Sequence, residues 1–237
     1  MYTEDALWAG MGISNGWMHT AWSAKGSYLV SGNILLLHVS TMLSQWTSGS
    51  PIVDLPQSIA VVSIICLSVA PILAFFVIRR YAGVLIAACT AFCLAAMPTG
   101  TSGNEIFGRI SNIGYSSVTV AALLWILYLN GSIFRTRPLI RLLIFLAALM
   151  FLALCNPIVI YLSIGFAILA LCTRRVSIRF VSSNNVMRIP DFAAVIAAMC
   201  ALAVITLGRE ASSTEPTTTG QLYPPELIEV GIARSAL

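Results

Sequence analysis

Apolar residues gather into long blocks separated by short polar interruptions, and this alternation runs from about residue 57 to residue 208. The first block, "QSIAVVSIICLSVAPILAFFVI" at 57–78, is uncharged. It is long enough to cross a bilayer, whose hydrocarbon core takes about 20 helical residues. Further blocks follow at 82–98, 114–130, 139–155, 157–173 and 191–208. Several of them fall slightly short of a core of about 30 Å, and Arg and aromatic residues at their ends can snorkel to make up the difference. Read as one helix, 139–173 would run about 50 Å and overshoot the bilayer. The Asn156–Pro157 pair supplies a break, because proline removes a helical N–H and disfavours the helical conformation of the residue before it. The pattern predicts an all-α polytopic membrane protein with about six transmembrane helices.

One segment departs from this pattern. "YLVSGNILLLHVSTMLSQW" at 28–46 is apolar but interrupted by Asn33, His38, Ser40, Thr41, Ser44 and Gln45. Leu35, Val39, Met42 and Trp46 recur at helical spacing on one side, which predicts an amphipathic helix lying in the outer membrane interface. A seventh span is the alternative, and it would carry Glu4 and Asp5 to the other side. His38 reads as a polar-face residue and not a ligand, since His19 is the only other histidine.

Composition agrees with the blocks. Apolar residues make up 58% of the 237 positions and charged residues 9%, a balance that no soluble domain of this size needs. The net charge of +4 is not a nucleic-acid footprint, because the basic residues are scattered Arg at block ends, with Lys25 the one lysine. No charged leader with a cleavage site opens the chain. Charge then orients the spans. Arg79, Arg80, Arg135, Arg137, Arg141, Arg174, Arg175, Arg179 and Arg188 all fall on one side, which the positive-inside rule makes cytoplasmic. Eight of the nine acids fall on the other side, Asp191 being the exception, placed to cap the last helix. This gives an extracytoplasmic segment 1–56, a transmembrane region 57–208 and an extracytoplasmic tail 209–237, with both termini outside a bacterial inner membrane. "NGS" at 130–132 matches a glycosylation sequon but lies on the inner side.

The six cysteines lie within or at the ends of apolar blocks, which argues against a secreted disulfide framework. Cys89 and Cys93 stand one helical turn apart, a spacing open to a shared metal. With no His or carboxylate beside them they read as small buried hydrophobes.

The outward segments carry the candidate chemistry. "GNEIFGRISNIGY" at 103–115 is a polar island bearing Glu105, Arg109, Asn112 and Tyr115, and "YTEDALW" bears Glu4 and Asp5. Loop polarity alone accounts for any single acid here, since outward loops must be polar. Taken in order with the 28–46 segment, however, these motifs resemble the polytopic GT-C class of glycosyltransferases, over about residues 2–173. In that class an acidic pair lies in the first extracytoplasmic loop, an amphipathic segment follows, and an acidic-aromatic-Asn motif opens a later span. The resemblance implies transfer of a sugar from a polyprenyl-phosphate donor to an extracytoplasmic acceptor in the cell envelope. It makes Asp5 the first candidate for the base that activates the acceptor hydroxyl, and Glu4 the second. Arg109 would face the leaving phosphate with its guanidinium fork. Glu105, four residues away, would orient Arg109 if the stretch is helical, with Asn112 and Tyr115 as further substrate contacts. Trp8, Trp17 and Trp22 are candidates for stacking on sugar or lipid, or for interface anchoring. No protein metal site is evident, and a divalent metal is the one cofactor the resemblance leaves open.

Members of that class begin with a transmembrane helix before the acidic loop and contain more spans, so the resemblance implies a chain lacking both ends. The alternative is a non-enzymatic accessory or scaffold subunit, its flanks completed by other membrane subunits. The small residues of "AACTAFCLAA" would serve close helix packing there. A transporter is the weakest reading, because the interiors of the blocks hold no charge except Arg141, near an end. Expected partners are therefore membrane lipid and a lipid-linked sugar donor, with no nucleic acid.

Overall fold

The computed structural model describes residues 3–23, 30–96, 110, 113–129, 138–173 and 189–212. Among these it forms eight helices and no strand: α1 (Thr3–Asn15), α2 (Trp17–Ser23), α3 (Ser31–Ser48), α4 (Leu55–Ala96), α5 (Ile113–Leu129), α6 (Pro138–Cys155), α7 (Ile158–Thr173) and α8 (Ile189–Ser212). The all-α expectation holds. By length and composition one of them, Leu55–Ala96, is long and apolar enough to cross a membrane. Shorter apolar helices span Ser116–Leu129, Leu139–Cys155, Ile158–Cys172 and Asp191–Thr206.

The sequence predicts a turn at Arg79–Arg80, but the helix runs through both. The interruption falls at Gly83, whose φ of 82° and ψ of 175° leave the helical region. Arg is a good helix former, so a charged pair marks a boundary of environment and not an end of helix. Glycine has no Cβ to clash at positive φ. Pro71 stays inside α4. Beyond Gly83 one stripe is covered, with Ala87 buried and Thr90, Ala91 and Leu94 half-buried.

Two apolar clusters organise the packing. The larger joins α5 through α8, around Trp125, Tyr128, Phe145, Leu149, Ile160, Val195 and Met199. The smaller joins α1, α3, the first turns of α4 and the start of α5, through Trp8, Ile34, Leu37, Leu55, Ile59, Val62, Ile110 and Ile113. Residues 3–23 and 30–48 therefore form a helical unit docked on one end of the α5–α8 bundle.

α3 is built with its polar side inward. Asn33, Ser40, Thr41 and Ser44 are buried, while Leu35, Val39, Met42 and Trp46 are exposed, Trp46 by 85%. Inward hydroxyls are tolerated because their own helix or turn satisfies them. Ser40 Oγ donates to Leu36 O at 2.9 Å and Thr41 Oγ1 to His38 O at 2.8 Å. Ser44 closes the α3–α4 connection, donating to Ser50 O at 2.9 Å and accepting from the Asp54 N–H at 3.1 Å. Gly49, at φ 71°, ends α3 with its N–H on Gln45 O.

Candidate functional site

Asp5 lies in the first turn of α1 and is 1% exposed. Its Oδ2 accepts the backbone N–H of Ile110 at 2.9 Å. Trp8 and Ala9, one turn further along, are buried in the smaller apolar cluster with Ile110 and Ile113. The apolar face of α1 thus delivers the carboxylate to the segment that leads into α5. Ile110 O in turn receives the Ile113 N–H at 3.1 Å, continuing the chain of bonds into the helix.

The other side of this junction is the turn between α6 and α7. Asn156 Nδ2 donates to Gly114 O at 2.8 Å, and its Oδ1 accepts the Ile158 N–H at 3.0 Å. Close backbone approach makes the first bond possible: a Cβ on Gly114 would stand 3.0 Å from Cys155 O. α3 reaches the same turn through Gly32, where a Cβ would stand 3.0 Å from Cys155 N and would overlap Cys155 Sγ. Glycines from two helices therefore seat the Cys155–Asn156 turn; Ile110 is held by Asp5 and Gly114 by Asn156.

Of the residues the sequence singles out, the structure brings Asp5 to the backbone of Ile110. Glu105, Arg109 and Asn112 lie outside the described residues, as do the side chains of Glu4 and Tyr115. Trp8 is buried in the protein core, and so is not a surface for stacking a ligand. Trp17 packs on His38 with ring centroids 4.7 Å apart, and Trp22 is largely exposed. His38 is half-buried against that ring, not on an open polar face. The six cysteines are all reduced, and Cys89 and Cys93 are exposed and not buried as expected. Among the described residues no group of three or more His, Cys, Asp or Glu could hold a metal.

No family model, curated protein or solved structure matches this chain. The junction holds a desolvated carboxylate, oriented by a backbone amide 105 positions away, at the seam between the α1–α3 unit and the bundle. Sequence reasoning finds Asp5 but misses Asn156, Gly32 and Gly114. The Asn156–Pro157 pair signals only a break, and nothing in the sequence says that its side chain crosses to α5.

Proposed function

We propose that this chain is a multi-pass membrane protein of the bacterial cell membrane and a GT-C-type glycosyltransferase. In this reading it transfers a sugar from a polyprenyl-phosphate donor to an extracytoplasmic acceptor, with Asp5 as the base. The membrane part is supported by apolar side chains turned outward along the helices. Val61, Ile64, Ile65, Val69, Ile72 and Phe76 are exposed on α4, and Leu139, Ile140, Leu143 and Ile144 on α6. Continuous apolar surface of this extent is what lipid covers and water does not. Polar groups turned inward on α3 fit the same environment.

The observation that carries the catalytic part is the bond from Ile110 N–H to Asp5. Two outward motifs far apart in sequence meet there, as a shared site requires. The amide fixes one carboxylate oxygen, which leaves the carboxylate oriented to take a proton from an acceptor hydroxyl brought within about 2.6–3.2 Å. Arg109, the residue before Ile110, would then serve the leaving phosphate.

The near-complete burial of Asp5 favours a second reading. A sealed carboxylate can act as a pin that docks the α1–α3 unit, as an accessory or scaffold subunit would need. The test is transfer of radiolabelled sugar from several polyprenyl-phosphate donors by membranes containing the chain. Transfer above matched control membranes supports the enzyme. Absence of transfer with every donor favours the accessory subunit.

A further inference from the structure

α3 and the first turns of α4 lie side by side and run in opposite directions. At one end Ser44 Oγ bonds the backbone of Ser50 and Asp54, where α4 begins. At the other end Gly32 packs against Cys155, the last residue of α6. Cys155 is close enough to Cys66 to interact with it electrostatically, and Cys66 packs on the smaller apolar cluster with Val30 and Ile34. Between these ends Leu37 shares that cluster with Leu55, Ile59 and Val62. Gly32 to Ser44 along α3, and Cys66 to Asp54 along α4, are each a rise of about 18 Å. The hairpin therefore stands about 18 Å beyond the Cys155–Asn156 turn, which closes that end of α6 and α7. The arginines set the depth. Arg79 is about 20 Å from Cys66 along α4, and Arg141 about 21 Å from Cys155 along α6, so both lie at one level on the opposite side. A hydrocarbon core of about 30 Å that starts at this level continues about 10 Å past the Cys155–Asn156 turn. It covers the hairpin as far as Val39 and Ile59, and any tilt of the helices extends that cover.

We infer that α3 stands upright in the outer leaflet as half a span, and that Leu35, Val39, Met42 and Trp46 are its contact surface for lipid. Acyl chains cover the stripe at Leu35 and Val39, and headgroups meet it at Trp46, a residue suited to that belt. The way α3 is turned favours lipid as the occupant. A helix on a water-facing surface buries its apolar side, whereas α3 buries Asn33, Ser40, Thr41 and Ser44 and exposes the apolar stripe. On α4 the exposed Val61, Ile64 and Ile65 continue the apolar surface along the hairpin. This arrangement differs from a helix lying flat in the interface. It differs also from a full seventh span, because the Asp5 bond to Ile110 holds α1 at the end where α5 begins. The inference rests on the membrane reading and orientation above but not on glycosyl transfer.

The test places the full chain, otherwise free of cysteine, in vesicles of phosphatidylcholine and phosphatidylglycerol. Leu35→Cys, Val39→Cys, Met42→Cys and Trp46→Cys each carry one spin label, at positions already exposed. Collision with oxygen against a water-soluble nickel chelate reports the depth of each label, and Ile72→Cys on α4 is the reference. An upright α3 predicts depth falling steadily from Leu35 to Trp46, by about 16 Å in all. Equal depths at the four positions would overturn the inference and lay α3 flat. Nickel access at all four, with Ile72 still in lipid, would overturn the lipid contact and leave the stripe to water or a protein partner. Nickel access at Ile72 as well would instead defeat the membrane reading itself. A second measurement keeps the native cysteines: the fluorescence lost in Trp46→Phe should be quenched more by lipid brominated near the headgroup than by lipid brominated near the chain end. The reverse order would overturn the shallow placement of Trp46.

Discussion

Asp5 and Ile110 are 105 positions apart, and the amide of the second donates to the carboxylate of the first at 2.9 Å inside an apolar cluster. The pair ties the α1–α3 unit to the segment that opens α5. It therefore has a structural role whether or not Asp5 also moves a proton, and the two roles need different substitutions to separate them.

Asp5→Ala removes the acceptor and strands a buried N–H, a loss of about 1–3 kcal/mol. Thermal unfolding in detergent should show a lower Tm for Asp5→Ala than for Asp5→Asn, which keeps a carbonyl oxygen for Ile110. Equal Tm values for the two variants would mean that the bond contributes little.

Asn156 should behave as a joint between elements. Asn156→Ala loses both the bond to Gly114 O and the acceptor for Ile158 N–H, together about 1–3 kcal/mol at the usual net value of a hydrogen bond. Asn156→Asp sets a carboxylate oxygen against Gly114 O where the amide donated, so its Tm should fall at least as far as that of Asn156→Ala. An unchanged Tm in Asn156→Ala would contradict the junction.

Much of the helical layout is legible in the sequence, and the reasons differ from element to element. The α6–α7 break can be read because Asn-Pro acts locally on the backbone. The apolar stripe of α3 can be read because Leu35, Val39, Met42 and Trp46 follow the helical period, and those side chains are exposed together. The break in α4 is misread at Arg79–Arg80, since charge reports environment while Gly83 controls the backbone. Burial of Asp5 and the reach of Asn156 to Gly114 are not legible at all. Both depend on which surfaces meet across distant parts of the chain, and such contacts leave no periodic mark.

Gly83 and Gly165 offer a matched pair of glycine substitutions. At φ 82° and ψ 175° Gly83 occupies a region reserved almost entirely for glycine, so Gly83→Ala should cost of order 1–3 kcal/mol. A Cβ on Gly165 meets nothing within 4 Å inside α7, and Gly165→Ala should be neutral or stabilising by up to about 1 kcal/mol. Chemical or thermal unfolding of the two variants side by side checks the contrast. Destabilisation by Gly165→Ala alone would reverse it.

Topology can be read with an impermeant thiol reagent on intact cells, using single cysteines in an otherwise cysteine-free chain. In the proposed orientation a cysteine replacing Ser102 should be labelled and one replacing Ser182 shielded, since the positive-inside rule would put 176–186 on the cytoplasmic side. The opposite pattern would invert the orientation and move Asp5 away from the extracytoplasmic side.

The most direct test of the account is sugar transfer by Asp5→Asn, measured in membranes with matched expression and alongside the Tm of the purified protein. Asparagine preserves shape and the acceptor for Ile110 but cannot serve as a base. The account predicts that transfer from a polyprenyl-phosphate donor falls by about 100-fold or more while the Tm stays close to that of the wild type. Wild-type transfer by Asp5→Asn at an unchanged Tm would contradict it and leave Asp5 a pin between two halves of the fold.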